Sequence, residues 1–313
     1  MTFKPIRSII IISLWMPQLY GQIYNFERYS LPEGLSQSQV FDIKQDTLGR
    51  IWLATERGGI TILSGEHPIY LGKKDGLPGN STYAIFYDHQ HRMWLGTDKG
   101  VCFYNGKSLQ RPNGCNLLDT LSVWDITEQT DHTIVFATND GVYAYNDSIG
   151  CHLLIPELKG NPISKLAARS NNLLYIMAYQ KPLLLFDGRR LETVLITIPP
   201  TANIEFCFFD SKDQIYVGTT QGLVTREGYF DKIITTADGL SDDHILSIAE
   251  DKYGNIWVGT DEGGINVIMP DTLITITAGQ GIGNNRINAL YFDNYQNLWV
   301  GTDGAGAYVF KGF

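Results

Sequence analysis

Residues 239–268 read GLSDDHILSIAEDKYGNIWVGTDEGGINVI, and this stretch contains most of one structural repeat. A Gly-Leu-Ser turn precedes the apolar segment HILSIAE, and the reversal DKYG leads into NIWVGT, which is rich in β-branched and aromatic residues. Asp supports such a reversal by bonding its own backbone two residues on, and Gly supplies a positive φ. DEGG turns the chain into INVI, and a fourth segment follows. The unit therefore predicts four short antiparallel strands.

This unit recurs seven times along the chain. The residue that ends the second strand is threonine in six copies and alanine in the fourth, at Thr55, Thr97, Thr138, Ala178, Thr219, Thr260 and Thr302. Successive copies lie 40 to 42 residues apart. Strand-rich units of this period form radial or solenoidal arrays, and four-stranded units are the blades of β-propellers. The sequence predicts an all-β, seven-bladed β-propeller with four antiparallel strands per blade.

Two apolar columns run through the aligned copies. The first is β-branched throughout, at Val40, Thr82, Val123, Ile163, Ile204, Ile245 and Ile287. The second stands three residues later, at Ile43, Ile85, Ile126, Leu166, Cys207, Ile248 and Leu290. A spacing of three does not fit the two-residue period of a strand. We therefore expect a bulge or a late strand start in each inner strand.

The ends of the array predict how the ring closes. The last copy supplies only three strands before residue 313, whereas residues 24–30 (YNFERYS) form a spare strand before the first copy. Pairing of this spare strand with the last copy would leave no unpaired edge between the first and last blades. We therefore expect a single propeller domain over residues 22–313.

Residues 1–21 do not belong to the repeat. Lys4 and Arg7 precede a short apolar core at residues 9–16, which is the layout of a secretory signal peptide and is short for a bilayer span. Leu19 is an imperfect cleavage signal, so an uncleaved anchor is the alternative. The sequence predicts a periplasmic or secreted protein with no membrane span in the mature chain.

The net charge narrows the choice of partners, and the cysteines bear on metal binding and disulfides. The net charge is −9, and an acidic surface repels nucleic acid backbones and anionic membranes. The four cysteines fit no metal-binding spacing, and Cys207 falls in an apolar column, where we expect it to be buried. Cys102, Cys115 and Cys151 are candidates for a disulfide, but their spacing does not pair them.

A ring of polar residues is predicted at the mouth of the central channel. The residue before each inner strand is polar in six copies, and these candidate ligand-binding residues are Gln39, Ser81, Ser122, Asn203, His244 and Arg286. Pro162 takes the position in the fourth copy. A polar funnel suits a small or extended polar ligand. The alternative is that the mouth of any channel is wet and therefore polar.

A second candidate ring follows the threonine column. Its carboxylates are Glu56, Asp98, Asp261 and Asp303. Four carboxylates near one face suit a cation or cationic ligand groups. The alternative is that these residues serve only the local turn, because Asp and Asn are favoured turn residues in this position.

No catalytic constellation is found. The six histidines are scattered, no Ser or Cys lies in an activated-nucleophile context, and no His-Glu metal motif occurs. The element that begins at Asp46 and Asp251 (Asp-x-x-Gly-x-x-Trp) resembles a sialidase Asp-box with one residue too many, and we expect it to be structural. The sequence therefore predicts a protein that is not an enzyme, with no cofactor and no metal ligands.

The copies at 34–63 (GLSQSQVFDIKQDTLGRIWLATERGGITIL), 239–268 and 281–310 (GIGNNRINALYFDNYQNLWVGTDGAGAYVF) resemble the two-component regulator propeller repeat. The resemblance is strong in copies one, two, six and seven, partial in copies three and five, and poor in copy four. That repeat builds the exported sensor region of hybrid histidine kinases in Bacteroidetes-like bacteria. The resemblance implies a periplasmic ligand sensor, often for polysaccharide fragments.

Members of this family commonly carry two propellers, an immunoglobulin-like domain, a membrane helix and a kinase, whereas one propeller is predicted here. In those sensors the ligand lies where the propeller meets other domains, so their ligand site transfers to no residue of this chain. We expect a non-catalytic ligand-binding or sensor propeller for an oligosaccharide or other polar small ligand, with a separate membrane histidine kinase as partner. The alternatives are a propeller-fold lyase or hydrolase with a metal-assisted site at the channel mouth, a protein-docking scaffold, and a truncated sensor. Ligand identity and oligomeric state stay open.

Overall fold

A computed structural model describes residues 24–65, 67–169 and 172–312. In these residues the chain forms seven four-stranded antiparallel sheets and no α-helix. The first strand of each blade contacts the first strand of the next, and the last contacts the first, so the seven sheets form a closed ring. The prediction of a seven-bladed β-propeller is confirmed. The predicted signal peptide, residues 1–21, lies outside the described residues.

Strands β2 to β13 build blades 1 to 3, each from the channel outwards. Blade 1 contains β2 (Val40–Gln45), β3 (Ile51–Thr55), β4 (Gly59–Leu63) and β5 (Ile69–Leu71). Blade 2 contains β6 (Thr82–Tyr87), β7 (Met93–Thr97), β8 (Gly100–Tyr104) and β9 (Leu109–Gln110). Blade 3 contains β10 (Val123–Glu128), β11 (Ile134–Thr138), β12 (Gly141–Asn146) and β13 (Gly150–Leu153).

Strands β14 to β28 build the remaining blades, with β1 (Phe26–Tyr29) completing the last. Blade 4 contains β14 (Ile163–Ala168), β15 (Leu174–Ala178), β16 (Leu184–Phe186) and β17 (Leu191–Thr193). Blade 5 contains β18 (Ile204–Phe209), β19 (Ile215–Thr219), β20 (Gly222–Glu227) and β21 (Phe230–Ile234). Blade 6 contains β22 (Ile245–Glu250), β23 (Ile256–Thr260), β24 (Ile265–Met269) and β25 (Thr272–Ile276). Blade 7 contains β26 (Ile287–Phe292), β27 (Leu298–Thr302), β28 (Ala307–Phe310) and β1.

The ring closes through the N-terminal strand, as predicted. Strand β1 pairs antiparallel with β28 from Phe26 opposite Phe310 to Tyr29 opposite Ala307. Tyr24 is 8% exposed, and the rings of Phe26 and Phe310 lie 5.1 Å apart. The two ends of the repeat array therefore share one sheet and one apolar cluster.

The expected bulge is present in all seven inner strands. In blade 1 the pairing moves from Val40 opposite Thr55 to Asp42 opposite Ala54, which leaves Phe41 as the extra residue. The same shift occurs at the same position of the other six blades. The bulge explains why the two apolar columns are three residues apart, and it turns one additional side chain per blade towards the channel.

The second-strand threonine and the small residue before it have separate structural roles. Each threonine hydroxyl donates to the carbonyl of a glycine at, or directly before, the first residue of the third strand, and each threonine is fully buried. A Cβ at Gly259 would lie 2.7 Å from Cγ2 of Ile287 in the next blade. Packing between blades 6 and 7 therefore requires a small residue at Gly259.

An aspartate organises the turn between the first two strands in four blades. Asp46, Asp88, Asp251 and Asp293 each accept bonds from the backbone N–H groups two and four residues on and from the indole N–H six residues on, at 2.7–3.1 Å. Burial favours a raised pKa for Asp251, but the bonds from Asn255 and Trp257 outweigh it and lower that pKa. The motif connects the turn to the core tryptophan, which is a structural role.

One disulfide joins Cys115, in the connection that leads into blade 3, to Cys151 in that blade's outer strand. The two residues are 36 positions apart and both are buried. Cys102 and Cys207 are free and buried, and burial raises the pKa of each thiol to about 12. Closing a loop of this length contributes about 4 kcal/mol in the chain-entropy account.

Thiol titration checks this arrangement directly. We expect no reactive thiol in the native protein, two after denaturation, and four after denaturation with reduction, because a buried thiol of high pKa does not react. Cys115→Ser together with Cys151→Ser should lower the free energy of unfolding by about 2–4 kcal/mol in urea denaturation. Four reactive thiols in the denatured, unreduced protein would contradict the pairing.

Candidate functional site

The two predicted rings lie together at one end of the channel, which we call the channel mouth. In all seven blades the backbone N–H of the second-ring residue donates to the carbonyl of the first-ring residue, at 3.0–3.2 Å. The pairs are Glu56 with Gln39, Asp98 with Ser81, Asn139 with Ser122, Tyr179 with Pro162, Thr220 with Asn203, Asp261 with His244 and Asp303 with Arg286. This pairing fixes the backbone that carries both sets of side chains.

Charged side chains of blades 6 and 7 form a connected network at the mouth. His244 Nδ1 lies 3.2 Å from Asp261 Oδ2, and Asp261 Oδ1 lies 2.9 Å from Arg286 Nη1. Arg286 Nε lies 3.3 Å from Asp303 Oδ2. These side chains are about one-quarter to one-half exposed, so a ligand can reach them. Basic and acidic side chains alternate along the network, which offers both donors and acceptors.

Glu205 extends this network into blade 5. Its Oε1 lies 4.0 Å from His244 Nε2, so the imidazole stands between two carboxylates. Glu205 is the bulge residue of its strand, and sequence reasoning did not select it. The bulge that the column spacing predicted is the signal that could have found it.

Side chains at several other ring positions bond to nearby backbone or to a neighbouring residue. The side chains of Asp98 and Asn139 accept the backbone N–H of Ser81 and Ser122, and Thr220 accepts that of Asn203, all at 3.0 Å. Glu56 lies 3.9 Å from the guanidinium of Arg57. The members of the second ring therefore have different roles. The side chains of Asp261 and Asp303 face basic side chains, whereas that of Asp98 accepts a backbone N–H group.

An aromatic arc lies just inside the mouth, on the bulge positions of blades 1 to 3. It consists of Phe41, Tyr83 and Trp124, with the rings of Phe41 and Tyr83 5.4 Å apart. These three residues and Ser164, Lys165, Leu246 and Asn288 line a cavity of about 370 Å³. Each aromatic side chain is partly exposed. The arc offers flat apolar surface beside a charged network.

Deeper in the channel, all seven inner strands line a cavity of about 250 Å³ that holds four charged residues. Asp42 and Lys44 lie 3.1 Å apart, and Asp125 and Lys165 lie 3.7 Å apart. Burial raises the pKa of Asp125. Burial works to lower the pKa of Lys44, but the neighbouring Asp42 carboxylate outweighs it and raises that pKa. Asp42 and Asp125 also accept backbone N–H groups of the next blade, so they join blades together.

At the opposite end of the ring, one side-chain cluster could hold a metal ion. His89, Glu128 and His132 place their ligand atoms within 4.8 Å of one another. They come from the turns between the first and second strands of blades 2 and 3, at the other end of those strands from the channel mouth. Sequence spacing offers no metal motif for these residues, since His89 and Glu128 are 39 positions apart.

Fold and site together define a seven-bladed β-propeller with a polar, charged channel mouth. Four of its blades match the family described as two component regulator propeller, over residues 34–57, 76–99, 239–262 and 281–304. These four blades therefore carry two-component regulator propeller repeats. The matched copies are one, two, six and seven, the ones in which the resemblance is strong.

Several solved structures share the fold. The extracellular domains of two candidate regulators of B. thetaiotaomicron, the hybrid two-component systems BT3049 and BT4673, give TM-scores of 0.76 and 0.75 at 20% and 22% identity. The match covers 92% and 91% of this chain but only 42% and 39% of those domains. Virginiamycin B lyase from Staphylococcus aureus gives a TM-score of 0.70 at 13% identity, covering 91% of this chain and 98% of the lyase.

No curated protein sequence matches the chain. The structural likeness includes regulator domains and an enzyme, so it establishes the fold alone. In the described part of the chain, no helix combines the length and apolar character needed to cross a bilayer.

Proposed function

We propose that this protein is an exported ligand-binding propeller of two-component regulator type, and that its channel mouth binds the ligand. The observation that carries the proposal is the charged network of His244, Asp261, Arg286 and Asp303 beside the aromatic arc. In this proposal the chain is a sensor without catalytic activity, and a separate membrane histidine kinase receives the signal.

The chemistry of the mouth favours an oligosaccharide. A sugar ring presents hydroxyl groups at its edge and an apolar face, and it requires both kinds of contact. Arg286 and the carboxylates offer charge-assisted hydrogen bonds, while Trp124 and Tyr83 offer flat apolar surface. The cavity of about 370 Å³ falls in the size range of small-molecule sites.

Two observations support export. The Cys115–Cys151 disulfide belongs to oxidising compartments, because cytosolic thiols are kept reduced. Residues 1–21 have the charged and apolar layout of a secretory signal peptide. A periplasmic or secreted location fits both.

A lyase is the second candidate function, and one observation favours it. His244 lies between the carboxylates of Asp261 and Glu205, an arrangement that can orient an imidazole as a general base. The fold likeness to virginiamycin B lyase adds to this candidate without locating a site. Mass spectrometry of the bound ligand separates the two functions, because a sensor returns it unchanged and a lyase returns product.

A thermal-shift and calorimetry screen of residues 22–313 against oligosaccharides, with and without divalent metal, tests the proposal. We expect one sugar class to raise the melting temperature, since a ligand that binds only the folded state stabilises it. His244→Ala with Arg286→Ala should weaken binding at least about 10-fold, the loss expected for a charged hydrogen bond. The melting temperature without sugar should change little, because exposed ion pairs contribute about 0–1 kcal/mol each.

The matched control changes a histidine and an arginine away from the mouth. His67 and Arg111 are both exposed, and Arg111 pairs with Asp119 on the surface. His67→Ala with Arg111→Ala should bind sugar as the unmodified protein does. Equal binding by the channel-mouth variant would place the ligand elsewhere, and no binding by any sugar would favour a protein-docking scaffold.

A further inference from the structure

The turns between the first and second strands bring two imidazoles and one carboxylate together on the surface opposite the channel mouth. His89 belongs to the turn of blade 2, while Glu128 ends β10 of blade 3 and His132 lies in the turn that follows. His132 Nδ1 lies 3.1 Å from Glu128 Oε1, and His89 Nδ1 contacts the same oxygen. The two imidazole rings are stacked, with centroids 3.8 Å apart.

The backbone holds each of these residues in place. The other carboxylate oxygen of Glu128 accepts the backbone N–H of His89 at 3.1 Å, which fixes the carboxylate against blade 2. His132 occupies the left-handed region with φ 69°, and its N–H donates to the Gln129 carbonyl in a tight turn. The Glu128 side chain is only 12% exposed, whereas His89 and His132 are 34% and 59% exposed. The buried carboxylate therefore fixes the cluster on the protein side, and the two imidazoles are open to solvent.

Blades 5 and 6 contain the same contact without the histidines. Glu250, at the position of Glu128, accepts the backbone N–H of Ser211 at 2.7 Å. Ser211 stands at the position of His89, and Gly254 stands at the position of His132. The glutamate contact between adjacent blades is thus a feature of the fold. The fold does not require the two imidazoles, so they need another explanation.

Two imidazoles and one carboxylate form a common ligand set for zinc and its neighbours in the first transition row. A tetrahedral ion with bonds of 2.0–2.1 Å separates its ligand atoms by about 3.3 Å, close to the separation of His132 and Glu128. The ion would replace the direct contacts of the two Nδ1 atoms with Glu128 Oε1. Its fourth position would face solvent and hold water.

We propose that His89, Glu128 and His132 bind one divalent transition-metal ion of the zinc type, which cross-links blades 2 and 3. Hard cations such as Mg²⁺ and Ca²⁺ prefer oxygen ligands and are excluded by this set. The site is independent of the channel mouth, and its test does not depend on the proposed function.

Calorimetric titration of Zn²⁺ into metal-free residues 22–313, without a histidine tag, tests the site. We expect one saturable ion per chain and a higher melting temperature when Zn²⁺ is present. His89→Gln with His132→Gln should weaken binding at least about 100-fold, because loss of even an outer partner of a ligand costs 10–100-fold. Mg²⁺ should neither bind nor raise the melting temperature.

Two single-site controls separate this site from other histidines. His91→Gln changes the same turn of blade 2 at a residue whose ring faces Tyr87, and it should bind Zn²⁺ as the unmodified protein does. His244→Gln changes the channel mouth and should also leave binding intact. Retained binding in the His89/His132 variant, loss of binding in the His244 variant, or no saturable binding at all would overturn the assignment.

A transplant of the ligand set provides a gain-of-function test. Ser211→His with Gly254→His places two imidazoles around Glu250 in the geometry of the proposed site, and His132 demonstrates that histidine adopts the required positive φ. We expect two Zn²⁺ ions per chain. A folded variant that still takes up one ion would contradict the proposal that two imidazoles and one carboxylate in this arrangement form the site.

Discussion

Deletion of residues 24–30 is expected to abolish cooperative folding. The deletion removes β1, which pairs with β28 along its whole length, and leaves β28 as an open edge. It also removes Tyr24, Phe26 and Tyr29 from the apolar clusters at the ring closure. Burial of one large side chain contributes about 1.5–3 kcal/mol, and a whole domain is stable by only about 5–15 kcal/mol.

Urea denaturation followed by circular dichroism, together with size-exclusion chromatography, measures this effect. The matched control is the chain that begins at residue 22, which keeps β1. We expect one sharp transition for the control and a broad transition or aggregation for the deletion. A deletion variant with the control's midpoint would mean that the ring closes without β1.

Replacement of Asp88 by alanine is expected to cost about 3–5 kcal/mol of unfolding free energy, the range for removal of one partner of a buried charge pair. Asp88 is 3% exposed and accepts four bonds through its two oxygens. Oδ1 accepts the backbone N–H groups of Gln90 and Arg92, and Oδ2 accepts Arg92 Nε at 2.6 Å and Trp94 Nε1 at 2.7 Å. The variant leaves a buried indole N–H and a largely buried guanidinium without this acceptor.

Chemical denaturation of Asp88→Ala beside Asp271→Ala measures the difference, since Asp271 is exposed in an outer-strand turn. The Asp271 variant should lie within about 0.5 kcal/mol of the unmodified protein, as surface substitutions usually do. Asp88→Asn should fall between the two, because its amide keeps one acceptor oxygen. Equal midpoints for the two alanine variants would contradict the structural role of the turn aspartate.

The propeller architecture could be predicted from the repeat because every copy must bury its sheet faces against neighbouring copies. A four-stranded blade cannot bury both faces alone, so its inner columns keep packing residues, which are β-branched throughout the first column, as at Val40 and Ile245. Such columns remain visible after the turns have diverged. The spare strand at residues 24–30 was predictable for the same reason, since an incomplete last blade requires a partner.

The lining of the channel could not be predicted because it has no shared pattern. The bulge turns Phe41, Glu205 and their counterparts towards the channel, and these positions differ in every blade. Repeat alignment reveals what copies have in common, and a binding surface depends on how they differ. The aromatic arc was therefore missed, although the spacing that demands a bulge was seen.

Contacts between residues far apart in the sequence could not be predicted either. Cys115 and Cys151 meet because blade 3 folds its outer strand back against the connection that leads into it. Glu128 meets His89 because adjacent blades place equivalent turns side by side. Spacing along the chain predicts neither the disulfide nor this contact, since both depend on how the sheets pack.

A polar ligand that binds at the channel mouth lies beside Trp124, so the fluorescence of this residue reports binding. Trp124 is the only partly exposed tryptophan in the described residues, whereas Trp52, Trp94, Trp257 and Trp299 are buried. Titration of residues 22–313 with the oligosaccharide panel should change the tryptophan fluorescence, and Trp124→Phe should abolish that change and weaken binding. A sugar that binds calorimetrically and leaves the Trp124 emission unchanged would contradict the channel-mouth site.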